Sequence, residues 1–405
     1  MMRATALPRR WPFPSLVQAL TVLALLGAAV AAARLVLGLG ATTNLNDGYP
    51  WGLWIAADVV VGTAFATGGY AVALLVYILN RGRYHPLVRP AILASALGYS
   101  LAGLAVALDV GRWWGIWKVP LLFWHWNPHS VLLEVALCIM AYVLVLWIEA
   151  APPLLAQVAE TGPARMRPYA ARARRVLDRT LLWVIALGIL LPTMHQSSLG
   201  SLMYLAGPRL HELWRTPLLP LLYLITAVGM GYAVVLAESV LSRRMFHRRP
   251  DVAMLRGLAF AITPALALYA VVRLGDLLWQ GRGPALLAGD RFSVMVWVEL
   301  VLAVAPLAIV WAARRTSSLT RYVQAALLAL AAGTVYRFDT YLLAFRPGDH
   351  WTYFPGVLEI AVTVGLFSFE ILAYITLVRL FPALLGEETR AAVPAGQALP
   401  AGGPA

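Results

Sequence analysis

The stretch that decides the fold is residues 49–70, YPWGLWIAADVVVGTAFATGGY. It opens with Trp51 and Trp54, and such tryptophans are typical of the interface between a membrane and water. The long apolar run that follows carries one acid, Asp58, whose charge costs roughly 3 kcal/mol at the centre of a bilayer. Such an acid faces a packed or hydrated interior, and the glycines after it let a second backbone approach closely. The stretch therefore predicts an inner helix of a membrane bundle that carries a polar site.

The composition is that of a membrane protein. Of the 405 residues, 61% are apolar and only 13% are charged, whereas soluble domains hold about 25% charged residues. The single cysteine, Cys138, excludes an internal disulfide. It also excludes a self-contained Fe–S cluster, which takes about four cysteine ligands. The net charge of +13 does not indicate nucleic-acid binding, because the arginines lie in alternate loops, as orientation signals do.

Ten apolar runs are long enough to cross a bilayer, which takes about 20 residues. We place them at 15–40, 52–79, 88–110, 129–150, 180–206, 217–241, 252–278, 291–313, 319–344 and 356–381. The first run is longer than the apolar core of a signal peptide, which is about 7–15 residues, so we interpret it as a span. The prediction is an all-α integral membrane protein with ten transmembrane helices.

The basic residues predict the orientation of the chain. With the N-terminus in the cytoplasm, twenty arginines lie on the inner side, against seven arginine or lysine residues on the outer side. Because positive residues favour cytoplasmic loops, we expect a multi-pass protein of the bacterial inner membrane with both termini cytoplasmic. The Arg-rich inner segment 157–179 is either a surface for anionic membrane lipid or a solvated linker. The tail 386–405 is rich in Ala, Pro and Gly, and we expect it to be disordered.

Four motifs resemble the NrfD / polysulfide-reductase family of membrane subunits. They are PWGLWIAADV at 50–59, YILNRGRYHPLVRP at 77–90, SVLLEVALC at 130–138 and LPTMHQSSLG at 191–200. The likeness is greatest to the HybB-like branch, the membrane subunit of periplasmic NiFe-hydrogenases. The resemblance implies two four-helix bundles, helices 2–5 and 6–9, which helices 1 and 10 flank.

This resemblance also divides the chain into functional parts. The order is a cytoplasmic N-terminus (1–14), the first helix with its outer loop (15–50), an N-terminal bundle with a quinone site (51–206), a C-terminal bundle (207–344), the last helix (345–385) and a cytoplasmic tail (386–405). The second bundle is assigned mainly from its helix pattern.

By resemblance, the function is that of a quinone-reactive membrane subunit of a respiratory oxidoreductase. Electrons would pass between a periplasmic four-cluster ferredoxin-like Fe–S subunit and menaquinone or ubiquinone in the membrane. The catalytic partner beyond that subunit would be a NiFe-hydrogenase, so the overall reaction would be hydrogen:quinone oxidoreduction, with proton translocation as an open addition. The outer end carries most of the tryptophans, which favours a docked protein there.

Polar side chains within the spans are the candidates for the quinone site. Reduction of a quinone takes up two protons, and intramembrane carboxylates and histidines relay protons. We therefore assign proton transfer to Glu134, His195 and Asp58. The residues that we expect to hold the quinone ring are Trp51, Trp54, Tyr99, His129 and Gln196. The alternative for His195 is a purely structural role beside the helix kink that Pro192 predicts.

Two further expectations concern cofactors and ion pairs. Only His129 and His195 are plausible axial ligands for a haem, and there is no second pair, so we expect no haem, no Fe–S cluster and no metal site in this chain. Arg273 with Asp276, and Arg337 with Asp339, are spaced as structural ion pairs that would fix the register of their helices.

Three alternative functions remain open at this point. The chain could serve a sulfur-compound complex or another complex of the same family. It could be a proton-coupled secondary transporter, since intramembrane carboxylates and weak internal repeats also fit that class. It could be a membrane anchor without a redox role, which would leave Asp58, Glu134 and His195 unexplained.

Overall fold

The computed structural model describes residues 13–245, 251–316, 318–381 and 384. Within these ranges the chain is helical and forms no strand beyond two isolated bridges. The long helices are α1 Pro14–Leu37, α2 Trp54–Ile78, α3 Gly82–Asp109, α4 Val131–Thr161, α5 Arg167–Leu205, α6 Leu219–Met245, α7 Val252–Trp279, α8 Arg291–Ala313, α9 Leu319–Phe338 and α10 Val357–Leu380. The predicted N-terminal segment and the predicted tail lie almost wholly outside the described residues.

Nine of these helices are long and apolar enough to cross a membrane, counted over the described part of the chain. Each of the nine matches a predicted span. The tenth long helix, α9, is not one of the nine: it covers the predicted span 319–344 but carries Gln324 and Arg337 among its 20 residues. Its side chains Tyr322, Tyr336 and Arg337 are fully buried by neighbouring helices. The chain is therefore an all-helical, multi-pass membrane protein.

Helices α2 and α6 lie at the centre of the protein. They are the most deeply buried of the nine apolar helices, and they pack against each other. Helix α2 also packs on α3, and α6 packs on α7 and α9. Helix α4 joins α3 to α5, and α8 joins α7 to α9. Helices α1 and α10 pack together, where a Cβ atom on Gly365 would lie 2.6 Å from the Cα atom of Gly27.

The connections gather at two ends of the protein. At one end the loop before α2 is tied to the loop before α10, since Asn44 Nδ2 donates to Phe354 O (3.0 Å) and Asn46 Nδ2 donates to Thr352 O (3.0 Å). We name it the Trp-rich end, for its exposed tryptophans Trp113, Trp114, Trp117, Trp124, Trp126, Trp279 and Trp351. The opposite end, with the turns at 79–87 and 162–166, is the Arg-rich end.

The segment 157–179 is mostly helical and not a linker, and its role as a surface for anionic lipid stays a prediction. Helix α4 continues to Thr161 and α5 already begins at Arg167, so only a short turn separates them. The arginines of this segment are exposed, Arg165 in the turn before α5 and the others on the first turns of α5. Apolar length alone does not locate these ends, because a helix can continue past the membrane surface with charged residues.

Helix α2 is irregular, and this irregularity shapes the site. Trp54–Val61 and Leu74–Ile78 are π-helical, and the chain turns at Ala66 and Thr67 between them. Thr67 Oγ1 lies 2.6 Å from the carbonyl oxygen of Ala64 and 2.8 Å from that of Ala227 on α6. Because π-helical turns are wider than α-helical ones and are frequent at functional sites, the faces of α2 do not follow the ordinary helical period.

Candidate functional site

The centre of the candidate site is a pair of polar residues on α5, His195 and Gln196. Both are fully buried. His195 Nε2 lies 3.2 Å from Thr63 Oγ1 on α2, and Gln196 Nε2 donates to the same oxygen at 3.1 Å. The helix continues through Pro192 without a break, so these two side chains are held on a rigid segment.

The hydrogen bonds assign the tautomer of His195. The Thr63 hydroxyl donates its proton to the carbonyl oxygen of Val59 at 2.6 Å. Its oxygen therefore accepts from both Gln196 and His195, which places the imidazole proton on Nε2. Nδ1 of His195 is buried and has no hydrogen-bond partner among the described residues. The site thus contains a ring nitrogen whose lone pair is available to a ligand.

A buried guanidinium, that of Arg337 at the end of α9, lies against the same cluster. Its Nη2 donates to Gln196 Oε1 (2.9 Å) and to Tyr223 O (3.1 Å). Its Nε donates to Val60 O (3.0 Å), and its Nη1 donates to Thr226 Oγ1 (2.7 Å). All of these acceptors are neutral, so the positive charge is solvated but not neutralised by them.

Aromatic side chains close one side of the cluster. The ring of Tyr99 on α3 is fully buried and meets the His195 ring edge-on, with 5.7 Å between the centroids. Its hydroxyl accepts a long hydrogen bond of 3.4 Å from Gln196 Nε2. Tyr142 packs edge-on against the other side of Tyr99 at 4.6 Å. Tyr99 is therefore held in place beside the histidine.

Glu134 contacts α5 one helical turn beyond His195. Ser198 Oγ, three residues after His195 on α5, lies 2.7 Å from Glu134 Oε1. Glu134 stands in the first turn of α4 and is half-buried. The carboxylate, the serine and the histidine thus lie on neighbouring turns of α4 and α5, and the proton relay through them stays a prediction.

Asp58 and Trp54 lie elsewhere, on the face of α2 that meets α10. Asp58 Oδ2 accepts from Thr363 Oγ1 at 2.8 Å, and Trp54 Nε1 donates to Glu359 O at 3.1 Å. Asp58 lines a small cavity together with Glu370. The predicted grouping of Asp58 and Trp54 with His195 is therefore not what the structure contains, because the π-helical start of α2 turns them toward α10.

Trp51 and His129 also lie apart from the cluster. The Trp51 indole donates to Tyr341 O at 3.1 Å and packs on Phe345, with ring centroids 4.6 Å apart. His129 is exposed in the loop before α4, where its backbone N–H bonds the side chain of Asn127. Of the predicted site residues, the structure therefore brings together Glu134, His195, Tyr99 and Gln196.

The predicted ion pairs of Arg273 with Asp276 and of Arg337 with Asp339 do not form. Arg273 Nη2 pairs with Glu299 Oε2 at 3.3 Å, while Asp276 accepts from Gln280. Arg337 bonds neutral acceptors on other helices rather than Asp339. Both arginines bind partners on other helices instead of the nearby aspartate, because their long side chains reach across the bundle.

Sequence reasoning missed two members of the site, Thr63 and Arg337. A threonine in an apolar helix gives no signal by itself. Arg337 had a signal, since a charged residue deep in a span marks a functional or paired position. Pairing it with Asp339 two residues away hid that signal.

The cluster can be compared with known proteins. The family model described as "Polysulphide reductase, NrfD" matches residues 41–344, which include all the residues of the cluster. The chain belongs to the NrfD family. Helix α10, which carries the partner of Asp58, lies beyond the part that the NrfD model matches.

Relatives of this NrfD-family chain are membrane subunits of redox complexes by name. It is 42% identical over 356 residues to the "Probable Ni/Fe-hydrogenase 2 b-type cytochrome subunit" of Escherichia coli, covering 87% of this chain and 88% of that one. It is 32% identical over 222 residues to the "Menaquinone reductase, integral membrane subunit" of Nitratidesulfovibrio vulgaris, covering 52% and 49%. It is 22% identical over 371 residues to the "Hdr-like menaquinol oxidoreductase integral membrane subunit" of Archaeoglobus fulgidus, covering 85% and 87%.

The first of these names contradicts the expectation of no haem. The Escherichia coli relative is named a b-type cytochrome subunit, and that name implies a haem. The expectation rested on the lack of a second histidine pair. Haem iron takes axial ligands such as histidine. Of the histidines that the structure describes, His195 alone is buried, and His129 is exposed. The described residues therefore do not fit a pair of histidine ligands for a haem.

Proposed function

We propose that this NrfD-family chain is the quinone-reactive membrane subunit of a respiratory oxidoreductase, and that quinone reacts beside His195. The observation that carries the proposal is the unpartnered Nδ1 atom of His195, buried next to the guanidinium of Arg337. A buried nitrogen without a hydrogen bond costs about 1–3 kcal/mol. A quinol hydroxyl is a donor of the right chemistry for this lone pair, and relatives are named for menaquinone and menaquinol.

The residues of the site divide the chemistry between them. Quinone accepts two electrons and two protons to become quinol. In the oxidative direction His195 Nδ1 accepts the proton of a quinol hydroxyl. In the reductive direction Nδ1 is first protonated from Glu134 and then donates that proton to a quinone oxygen. The charge of Arg337 stabilises negative charge on the oxygens as electrons arrive, which is a larger effect in a site without water. Glu134 supplies protons through Ser198, and Tyr99 bounds the ring position.

The partner docks at the Trp-rich end. This end exposes large apolar side chains, among them Trp114 (63% exposed), Trp124 (62%) and Trp279 (91%). Aromatic side chains at such density are typical of protein interfaces. We propose a periplasmic four-cluster ferredoxin-like Fe–S subunit as the partner, with a NiFe-hydrogenase beyond it, as the hydrogenase name of one relative suggests.

The orientation follows from the same proposal. The Trp-rich end faces the periplasm and the Arg-rich end faces the cytoplasm, so both termini are cytoplasmic and the membrane is the bacterial inner membrane. The bundle has ten spans because α9 crosses the membrane inside the protein, shielded from lipid. Helices α2–α5 and α6–α9 are the two four-helix groups, with α1 and α10 flanking.

A second line of polar groups, separate from the His195 cluster, runs along α10 and ends at Asp58. Its residues Thr363, Glu370 and Tyr374 are spaced seven and four positions apart, so they share one helix face. Thr363 bonds Asp58, Glu370 lines the cavity with Asp58, and the Tyr374 hydroxyl bonds Glu238 on α6. We propose that these groups carry protons from the Arg-rich end toward the outer half of the membrane.

The test replaces the two groups assigned to proton transfer. Glu134→Gln and His195→Ala, each in the assembled complex, abolish hydrogen-dependent reduction of a menaquinone analogue. Both keep assembly and hydrogen-dependent reduction of a viologen dye, which takes electrons from the partner subunits directly. The matched controls are Glu160→Gln at the end of the same helix and His85→Ala, since both residues are exposed. Quinone reduction that survives both site variants overturns the assignment.

A further inference from the structure

An apolar groove runs along the outer surface of the protein between α7 and α8, apart from the quinone site. Its volume is about 290 Å³, close to the lower end of the range for ligand clefts, about 300–1,000 Å³. The groove is open to the side, since Trp311 in its wall is 64% exposed. The proposed quinone chemistry uses none of its lining residues, among them Phe260, Thr263, Pro264 and Ala267 on α7 and Leu307 and Trp311 on α8.

A proline in the wall of the groove explains how this surface stays apolar. Pro264 has no backbone N–H, so the carbonyl of Phe260, four residues earlier, loses its helical partner. The hydroxyl of Thr263 donates to that carbonyl at 2.8 Å. The polar groups of Phe260 and Thr263 therefore satisfy each other within α7, and the groove is left to an apolar ligand.

The dimensions of the groove fit one hydrocarbon chain. From Phe260 to Ala267 it follows seven positions of α7, which is about 10 Å at 1.5 Å per residue. One leaflet of the hydrocarbon core is about 15 Å deep, half of the full thickness. A stretch of α-helix of this length is about 10 Å wide and takes up about 800 Å³, far more than the groove holds. The occupant that fits is a single chain lying parallel to the helices.

One mouth of the groove lies at the Arg-rich end of the protein. Gly257, near the start of α7, packs against Tyr84 in the turn 79–87 of that end. Helix α8 follows α7 after a short connection and runs back to the same end. Of the lining residues, Phe260 on α7 and Trp311 on α8 are the nearest to this end. These two rings therefore form the mouth.

Each ring at the mouth carries a guanidinium. Arg314 Cζ lies 3.7 Å from the centroid of the Trp311 ring, and its Nη1 donates to Trp311 O at 3.1 Å. Arg256 Cζ lies 5.6 Å from the centroid of the Phe260 ring. An orientation signal accounts for arginines in the loops, but not for arginines stacked on the two rings that end a groove.

The charge around the mouth is strongly positive. The segments 251–262 and 306–323 contain four arginines, namely Arg256, Arg314, Arg315 and Arg321, against one acid. That acid, Asp251, caps α7 by accepting from the backbone N–H of Met254 at 3.0 Å. An apolar groove with a positive mouth is complementary to a molecule with a hydrocarbon chain and an anionic head, whereas a quinone has no charge for the arginines to bind.

We propose that this groove is a binding site for one anionic phospholipid of the leaflet at the Arg-rich end. One acyl chain lies in the groove, and the phosphate binds Arg314 and Arg256. A guanidinium can stack on an aromatic face and bind a phosphate through its N–H groups at the same time. Basic pockets between membrane helices bind the head groups of anionic lipids in this way.

The test is native mass spectrometry of the purified full-length protein with phosphatidylglycerol or phosphatidylcholine of the same acyl chains. The wild-type protein binds its first phosphatidylglycerol roughly 30-fold more tightly, because each basic residue at an anionic lipid contributes about a factor of five. Arg256→Gln with Arg314→Gln lowers the affinity for phosphatidylglycerol to that for phosphatidylcholine. Ala267→Phe fills the groove with its ring and weakens the binding of both lipids. The matched control, Arg172→Gln with Arg175→Gln, removes the same charge from exposed positions at the same end and binds as wild type does.

Four results overturn the proposal. Equal wild-type affinity for the two lipids means that the groove takes any hydrocarbon chain, a quinone tail included. Full binding of phosphatidylglycerol by Ala267→Phe means that the lipid lies elsewhere. A control pair that loses as much as Arg256→Gln with Arg314→Gln means that only the total charge matters. Glycerol 3-phosphate that competes as well as the phospholipid means that the site holds a free phosphate without a chain.

Two features keep the test decisive. The arginine variants and Ala267→Phe alter different parts of the site, so that either tests the proposal if the other does not fold. The proposal does not depend on the quinone assignment, because lipid binding is measured without electron transfer.

Discussion

Replacing Thr63 by valine separates the hydrogen bonding of the site from its packing. Valine has nearly the shape of threonine but lacks the hydroxyl group. The Thr63 oxygen accepts from His195 Nε2 and Gln196 Nε2, and it is fully buried. The change therefore removes the one acceptor that fixes both the histidine tautomer and one end of the glutamine.

The size of the effect follows from the orphaned donors. Each buried N–H without an acceptor costs about 1–3 kcal/mol. Gln196 Nε2 keeps its long bond to Tyr99, so only the N–H that faced Thr63 is left without an acceptor. The Nε2–H of His195 also loses its acceptor, and moving the proton to Nδ1 does not relieve this loss, because Nδ1 has no partner among the described residues either. We expect the transition state for quinone reduction to lose about 2–3 kcal/mol, which is roughly 30- to 150-fold in rate.

The assay compares two electron acceptors in the same membranes. Hydrogen-dependent reduction of a menaquinone analogue falls by that factor, while reduction of a viologen dye stays unchanged. The matched control is Thr21→Val on α1, where the hydroxyl makes the same kind of bond to a carbonyl four residues earlier, at 2.7 Å, and is exposed. A Thr63→Val complex that reduces quinone within about threefold of wild type refutes the reasoning, because the hydrogen bonds of His195 and Gln196 to Thr63 would then not matter for the reaction.

Three further predictions concern packing, docking and topology. Gly365→Ala lowers the free energy of unfolding by about 1–3 kcal/mol, and with it the thermal midpoint, because the new Cβ meets the backbone of Gly27. Gly275→Ala, with open space around it, leaves the midpoint unchanged. Changing Trp113, Trp114 and Trp124 together to serine releases the Fe–S partner from washed membranes while this chain still inserts. A partner that stays on the membranes contradicts the docking site. Reporter fusions in the turn 162–166 are active in the cytoplasm and those in the loop 110–130 in the periplasm, and one inverted reporter contradicts the orientation.

The apolar spans were predictable because each has to satisfy its own backbone and meet lipid or protein with apolar side chains. Nine predicted spans correspond to helices within the described chain. The extent of α4 and α5 beyond the apolar run was not predictable from hydropathy. The identity of α9 as a span was predicted from its length, although its polar residues lower its apolar character.

The composition of the site was only partly predictable. The polar run around His195 predicted a site on α5, and the structure places Glu134 of the neighbouring helix against Ser198, one turn further along. Asp58 was assigned to the same site because it lies at a similar depth. Depth does not give the direction of a side chain, and the π-helical turn of α2 changes that direction. The partner of Asp58, Thr363, is on α10, which is 305 residues away in sequence.

The cluster around Arg337 takes its residues from both groups of helices, and this placement has a consequence for function. Thr63 and Gln196 come from α2 and α5, while Thr226 and Arg337 come from α6 and α9. A guanidinium that is held only by neutral acceptors keeps its charge available, at the expense of burial. Small movements between the two groups would first lengthen the bonds from Arg337 to Gln196 and to the carbonyl oxygen of Val60. Helix α9, which is not among the nine helices apolar enough to cross a membrane, is thus the one that places the charge of Arg337 between the two groups. The same arginine that lowers the hydropathy of α9 belongs to the site.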